Sequence, residues 1–142
     1  MDNNAITMLR RRVLGLVALG FFGIAVELWL LAHDEEVNQW IPFVALALAM
    51  VTLAWWAIVG SRAAVRAVQA AMVVVIITGG VGVVLHYRAN MEFQLESDRS
   101  LGGLALMKKV LEAKAPPALA PANMTLLGLI GLAGVSRERS GG

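Results

Sequence analysis

Three long apolar segments constrain this chain more than any other feature of its sequence. Residues 13–32 contain one charged side chain, Glu27, and residues 40–60 and 67–85 contain none. A helix that crosses a bilayer needs about 20 mostly apolar residues, and each segment is about that long. The sequence therefore predicts three transmembrane helices within residues 13–85.

The composition excludes a soluble fold. Of the 142 residues, 58% are hydrophobic and 15% are charged, whereas soluble domains carry about 25% charged residues. A chain this small has too much surface for its volume to hide so many apolar side chains from water. The same apolar excess argues against disorder, and a sequence without cysteine excludes disulfides and thiolate metal sites.

Residues 121–135 form a fourth, shorter apolar segment. At about 1.5 Å per residue, a helix over this segment reaches about 22 Å, which is less than the hydrocarbon thickness of about 30 Å. Pro121 suits the first turn of a helix, where its missing N–H has no partner. The segment is predicted to be a short fourth span, with a re-entrant helix as the alternative.

The arginines predict how the helices are oriented. With four spans, three groups of arginines lie on one face of the membrane: Arg10, Arg11 and Arg12, then Arg62 and Arg66, then Arg137 and Arg139. Positive charges in short loops stay in the cytoplasm. The sequence therefore predicts an inner-membrane protein whose N-terminal tail, residues 1–12, and C-terminal tail, residues 136–142, are both cytoplasmic.

Residues 86–120 form the one sizeable segment predicted outside the membrane, on the outer face. Charged residues recur there at spacings of three and four, which predicts that the third helix continues out of the membrane with an Arg88–Glu92 ion pair. The charged stripe comprises Arg88, Glu92, Glu96 and Arg99. A break is expected at residues 97–103, where Ser100 is a candidate cap for a second helix.

The second helix of this outer segment is predicted to be amphipathic. Leu104, Met107 and Leu111 share one face and charged residues occupy another, a pattern typical of a helix on a membrane surface or against a partner. Pro116 and Pro117 end this helix, because proline disfavours helical conformation in the residue before it. The chain is then predicted to return to the membrane through a proline-rich connector.

The two histidines of the chain, His33 and His86, are predicted at the outer ends of the first and third spans. Together with nearby carboxylates they define one alternative function, a metal or haem site, since imidazole ligates both. No HExxH, CxxCH or other ligand spacing supports such a site. We therefore predict no cofactor and keep the metal or haem site as an alternative.

Glu27 is the one acidic residue predicted inside a span. Charges inside a bilayer are costly and are candidates for function by default, here in proton or ion transport. Transporters usually carry several intramembrane polar groups or inverted repeats, which this sequence lacks. A structural pairing with Arg88 or His86 is the preferred interpretation, and a small transporter or channel component is the alternative.

Glycines recur at helical spacing within the predicted spans. Small residues let helix backbones approach closely, which is the main source of helix association in lipid. The glycines predicted to pack helices together are Gly20, Gly23, Gly79, Gly82, Gly128, Gly131 and Gly134.

These patterns predict an all-α integral membrane protein with four transmembrane helices, the fourth short, and an outer-face amphipathic helix between the third and the fourth. The sequence contains no catalytic set of residues, and its basic residues are topological signals rather than a nucleic-acid-binding face. We predict a non-catalytic accessory, assembly or scaffold subunit. Its partners would be the lipid bilayer and another membrane protein or a second copy of the chain.

Overall fold

The computed structural model describes residues 3–33, 35–113 and 121–136, and all regular structure in this part of the chain is helical. The α-helices are α1 (Asn3–Leu30), α2 (Trp40–Val59), α3 (Arg62–Ser97), α4 (Gly103–Leu111) and α5 (Ala122–Val135). The first three are long and apolar enough to cross a membrane, which confirms an all-helical chain with three such helices. The proline-rich connector, Arg137, Arg139 and the rest of the C-terminal tail after Ser136 lie outside the described residues.

Helix α1 begins well before the predicted span. Residues 1–12 are predicted to be a tail, but the helix starts at Asn3 and includes Arg10, Arg11 and Arg12. Leucine, methionine and arginine have high helix propensity, and no glycine or proline occurs before Gly15 to interrupt the helix. The basic segment is therefore the first part of a helix that continues into the apolar span.

Helices α1, α2, α3 and α5 form an up-and-down four-helix bundle. Helix α1 packs against α2 and α5, and α3 packs against the same two helices, so α1 and α3 are diagonal to each other. Their buried faces meet in one core, whose large enclosed side chains include Phe21, Leu46, Met72 and Val75. Helix α5 thus completes the bundle as its fourth member.

The start of α1 and the end of α5 meet at one end of the bundle. Arg10 donates a hydrogen bond through Nη2 to the carbonyl oxygen of Ser136, at 2.9 Å. This carbonyl directly follows α5, where the helix dipole is negative and a cation is stabilising. The basic end of the bundle carries Arg10, Arg11, Arg12, Arg62 and Arg66, and the opposite, histidine end carries His33 and His86.

Glycine brings α3 and α5 into close contact. A methyl group at Gly79 would lie 2.5 Å from Oγ1 of Thr125 and 2.8 Å from the carbonyl oxygen of Pro121. Thr125 donates a hydrogen bond through Oγ1 to the carbonyl oxygen of Ile76, at 3.3 Å. Close backbone approach combined with an interhelical hydrogen bond is how helices associate in lipid, where water does not drive them together.

The other predicted packing glycines, with one exception, also face a neighbouring helix. Gly82, Gly128 and Gly131 lie between α3 and α5, and Gly20 and Gly134 lie between α1 and α5. A methyl group at each would approach the neighbouring segment to within 3.0 Å. Gly23 is exposed and has nothing within 4 Å of its methyl position, so within the described chain it is not a packing contact.

Helix α3 extends beyond the bundle, and α4 folds back onto it. Helix α3 ends at Ser97, α4 begins at Gly103, and α4 packs against α3 and buries Val110. The break between α3 and α4 therefore lies within the predicted range of 97–103. Because α4 contacts the helix that it follows, residues 86–113 form an outer hairpin that rises from the histidine end.

Ser100 does not cap α4, contrary to the sequence prediction. The N-cap is Gly102, which provides no side-chain hydrogen bond. Ser100 instead donates its hydroxyl and its backbone N–H to Oδ1 of Asp98, at 2.6 and 3.0 Å. These bonds, the hydroxyl bond first, lower the pKa of the Asp98 carboxyl. Asp98 follows the last residue of α3, so its carboxylate stabilises the turn between the two helices.

The predicted ion pair between Arg88 and Glu92 is also absent from the described residues. In the described part of the chain, an ion pair instead joins Lys108 of α4 and Glu112 directly after α4, at 3.8 Å. Arg88 and Glu92 are both exposed, and solvent-exposed ion pairs contribute only about 0–1 kcal/mol. Hydration of the two exposed charges therefore competes successfully with the small free energy of an ion pair between them.

We expect Gly79→Ala to destabilise the bundle by about 1–3 kcal/mol, because the added methyl group must displace the backbone of α5 rather than a flexible side chain. Gly80→Ala is the matched control, since nothing lies within 4 Å of a methyl group at that neighbouring position. Thermal unfolding in detergent measures both effects. Equal stability of the two variants would contradict the close contact between α3 and α5.

Candidate functional site

The two histidines meet at the histidine end although they come from diagonal helices. The ring centroids of His33 and His86 are 6.4 Å apart, and the ring planes are inclined at 64°. His33 lies just after α1, and His86 lies within α3, one turn beyond the contact between Gly82 and Pro121. The sequence predicts both residues at one membrane face, and the fold brings their rings into a T-shaped, edge-on contact.

The end of α1 fixes the position of His33. The backbone N–H of Ala32 donates to the carbonyl oxygen of Trp29 at 3.1 Å, and that of His33 donates to Leu28 at 3.0 Å. This pair of bonds is a Schellman motif, which needs a left-handed residue at Ala32, and the φ angle of Ala32 is 50°. Glycine is usual there because a Cβ costs about 1–2 kcal/mol in this conformation. A strained backbone thus holds His33 in place.

Burial and the neighbouring ring determine the charge of His33. Burial lowers its pKa below the usual 6.5, and the positive charge that His86 can carry lowers it further. His33 is therefore neutral at neutral pH, with a lone pair on one ring nitrogen. In this state the ring accepts a hydrogen bond or ligates a metal ion.

Carboxylates do not complete the histidine pair within the described residues. This part of the chain contains no cluster of three or more His, Cys, Asp or Glu side chains suited to a metal ion. The backbone N–H groups of Glu35 and Glu36 both donate to Oε1 of Gln39, at 2.9 and 3.2 Å, and both glutamates are exposed. Asp34 lies outside the described residues. The described site is thus a pair of imidazoles.

Sequence reasoning missed two residues near the pair. Asn90 follows His86 by one turn on the same face of α3, and it is only 3% exposed. The spacing of four between these two polar residues is the signal that identifies it. Ala32 gives no such signal, because a left-handed position is usually recognised in a sequence by a glycine and this position carries alanine.

Glu27 lies on an exposed side of α1 and not in the bundle interior. Its neighbour Leu28 packs against the core, and one residue turns a helix by about 100°. Among the described residues, Glu27 forms no ion pair with Arg88 or His86. The preferred structural pairing is therefore wrong for these partners, because the carboxylate points away from the bundle.

Helix α4 exposes the apolar face that the sequence predicts. Leu104, Met107 and Leu111 are 79%, 43% and 42% exposed, whereas Val110 is fully buried. The apolar residues of α4 therefore divide into a side that packs on the chain and a side that remains exposed. We refer to Leu104, Met107 and Leu111 as the α4 face.

Three residues of the predicted charged stripe line a groove that is open to solvent, two of them on α3 and the third, Arg99, just after its end. Glu92, Glu96 and Arg99 line it together with Leu95. The three charged side chains are exposed, so this part of the outer hairpin is a solvated face and not an enclosed site.

Replacing Ala32 with glycine should stabilise the protein by about 1 kcal/mol, because it removes the strain of a Cβ at a left-handed position. Ala47→Gly is the matched control: Ala47 is exposed in the middle of α2, and glycine there should cost about 1 kcal/mol. The two variants should shift the midpoint of thermal unfolding in opposite directions. A loss of stability in both would contradict the strained turn before His33.

The free energy of unfolding should fall as the pH is lowered from about 8 to about 5. With a lowered pKa, His33 binds a proton less tightly in the folded protein than in the unfolded chain. Its contribution is complete above the unfolded pKa of 6.5 and is lost as the pH falls through the folded pKa. His33→Gln removes the titrating group, so its stability should depend less on pH, and an unchanged pH dependence would overturn this assignment.

No protein-family model matches the chain. Comparison with curated proteins gives no match, and no solved structure matches.

Proposed function

We propose that this chain is a four-span inner-membrane protein that acts as a non-catalytic accessory subunit and binds a second membrane protein through the α4 face. The observation that carries the proposal is the exposure of this face on a helix whose adjoining side is already buried. Contiguous apolar surface exposed outside a bilayer marks interaction sites. The chain provides the surface, and the partner supplies any chemistry.

The height of the outer hairpin favours a protein over the bilayer surface as the occupant of the α4 face. From residue 86 to Ser97, α3 extends about 18 Å beyond its apolar segment. Helix α4 starts after this far end and folds back along α3, so Leu104 lies near the far end. A surface helix inserts its apolar face only about 5–10 Å into the headgroup boundary. On an upright hairpin, Leu104 lies too far from the bilayer to insert in this way.

A charged side chain borders the α4 face. Lys108, which follows Met107, has a side chain that is 74% exposed, whereas Lys109 lies on the opposite side of α4, because each residue turns a helix by about 100°. Protein interfaces combine an apolar centre with a polar rim. The partner is therefore expected to present an apolar patch bordered by an acidic residue opposite Lys108.

The exposure of Glu27 supports a partner within the membrane as well. An acidic side chain within a span is costly, Glu27 lies three residues before the end of α1, and no described basic residue pairs with it. Gly23, one turn earlier, has nothing within 4 Å of its methyl position, so this side of α1 is open. A partner helix that packs here would supply a polar group to Glu27. Transport would instead need a path through the protein, and Glu27 does not face the bundle interior.

Four spans would place the outer hairpin on the outer face of the membrane. Helix α5 packs against α1 and α3 and ends at the carbonyl that Arg10 binds. With 14 residues, it reaches about 21 Å, and a bilayer thins around a short span at modest cost. The basic end is then cytoplasmic by the positive-inside rule, as are the start of α1 and the end of α5.

We expect the triple variant Leu104→Ser, Met107→Ser and Leu111→Ser to recover at least tenfold less of a co-purifying membrane protein, because truncation of one hot-spot residue costs about 2 kcal/mol or more and about 1.4 kcal/mol is a factor of ten in affinity. The measurement is affinity purification from native membranes in mild detergent, followed by mass spectrometry. The tagged wild-type chain should retain one stoichiometric partner.

The matched control changes the polar side of the same helix: Ala105→Ser, Lys109→Ser and Glu112→Ser, all of which replace exposed residues. It should retain the partner, and both variants should unfold at the wild-type temperature. Equal recovery with the two triple variants, or a wild-type chain that purifies alone, would contradict the proposal.

A further inference from the structure

We propose that His33 and His86 together bind one divalent transition-metal ion, of the class that prefers imidazole ligands in opposite positions, such as Cu²⁺ or Ni²⁺. This site is separate from the α4 face and does not depend on the proposed accessory function. The observation that carries it is the approach of two imidazole rings to 6.4 Å between centroids. The two residues come from helices that do not otherwise pack against each other.

The separation of the rings fits one coordination geometry better than another. A metal ion lies about 2.0–2.1 Å from each ligating nitrogen, so two rings on opposite sides of one ion have centroids about 6 Å apart. At a tetrahedral angle the centroids would be only about 5 Å apart. The observed 6.4 Å matches the separation expected for opposite nitrogen ligands, and rotation about the side-chain bonds of the two histidines would turn one nitrogen of each ring toward a shared ion. Cu²⁺ and Ni²⁺ accept such tetragonal arrangements.

The backbone on both sides of the pair is already in place before an ion binds. His86 is in the continuous helix α3, and the His33 N–H is bonded to the Leu28 carbonyl oxygen at 3.0 Å. The positive φ of Ala32 maintains this turn at a conformational cost, and such strain persists where the surrounding structure determines it, often at binding sites. Little ordering is thus needed on binding, which raises affinity.

Within the described residues, the ligands proposed for the ion are the two imidazoles. The described residues contribute no third His, Cys, Asp or Glu to the pair. Ligand identity then sets the choice of ion, because nitrogen ligands without thiolate favour Cu²⁺ and Ni²⁺ over Cu⁺. Affinity should increase from Ni²⁺ to Cu²⁺, following the general order for divalent ions.

The test is titration of the full chain, purified without a polyhistidine tag and stripped of metal with a chelator, with Cu²⁺ and Ni²⁺ by calorimetry. Wild type should bind one ion per chain, Cu²⁺ more tightly than Ni²⁺. His33→Gln and His86→Gln should each weaken binding at least tenfold, and the double variant should be no worse than either single variant. This non-additivity is expected because both rings hold the same ion.

Glu27→Gln and Glu36→Gln are controls that change exposed acids on the same half of the protein, and both should bind like wild type. Electron paramagnetic resonance of the wild-type Cu²⁺ complex should show two nitrogen ligands, a result that needs no variant to fold. Three results would overturn the proposal. The first is an independent and additive loss of binding in the two histidine variants, and the second is a single nitrogen ligand in the wild-type spectrum. The third is a haem absorption band that His33→Gln and His86→Gln both remove.

Discussion

The close approach of α3 and α5 is the contact on which the rest of the bundle depends. Within lipid, helices associate through van der Waals contact over small residues and through interhelical hydrogen bonds. Gly79 provides the first, and the Thr125 hydroxyl provides the second. Because α5 also packs on α1, it connects two helices that are diagonal to each other in the bundle. The meeting of His33 and His86 beyond the end of α5 follows from this connection.

The two ends of the bundle differ in chemistry. At the basic end, an arginine of α1 neutralises the negative end of the α5 dipole. At the histidine end, a strained turn and a continuous helix bring two imidazoles together, and α3 continues outward to carry α4. The chain therefore separates a packed membrane part from an exposed outer hairpin, and both proposed binding surfaces lie on the same side of the bundle.

The sequence predicts most of the fold, because apolar length is a direct consequence of bilayer thickness. It predicts the apolar segments of α1, α2 and α3, the continuation of α3 and the exposed α4 face. It does not predict that α1 starts at Asn3, because a hydropathy pattern shows where the membrane begins and not where a helix begins. The cap at Gly102, the exposed position of Glu27 and the positive φ of Ala32 depend on tertiary contacts that helical periodicity does not encode.

The central claim, that the α4 face binds a protein, is tested most directly by site-specific photo-crosslinking in native membranes. A photoreactive residue at Leu104 should give one discrete crosslinked protein, because this side chain is 79% exposed and faces the proposed partner. The same residue at Lys109, on the polar side of α4, should give little of that product. Crosslinks from Leu104 to lipid alone, or to no protein at all, would contradict the claim.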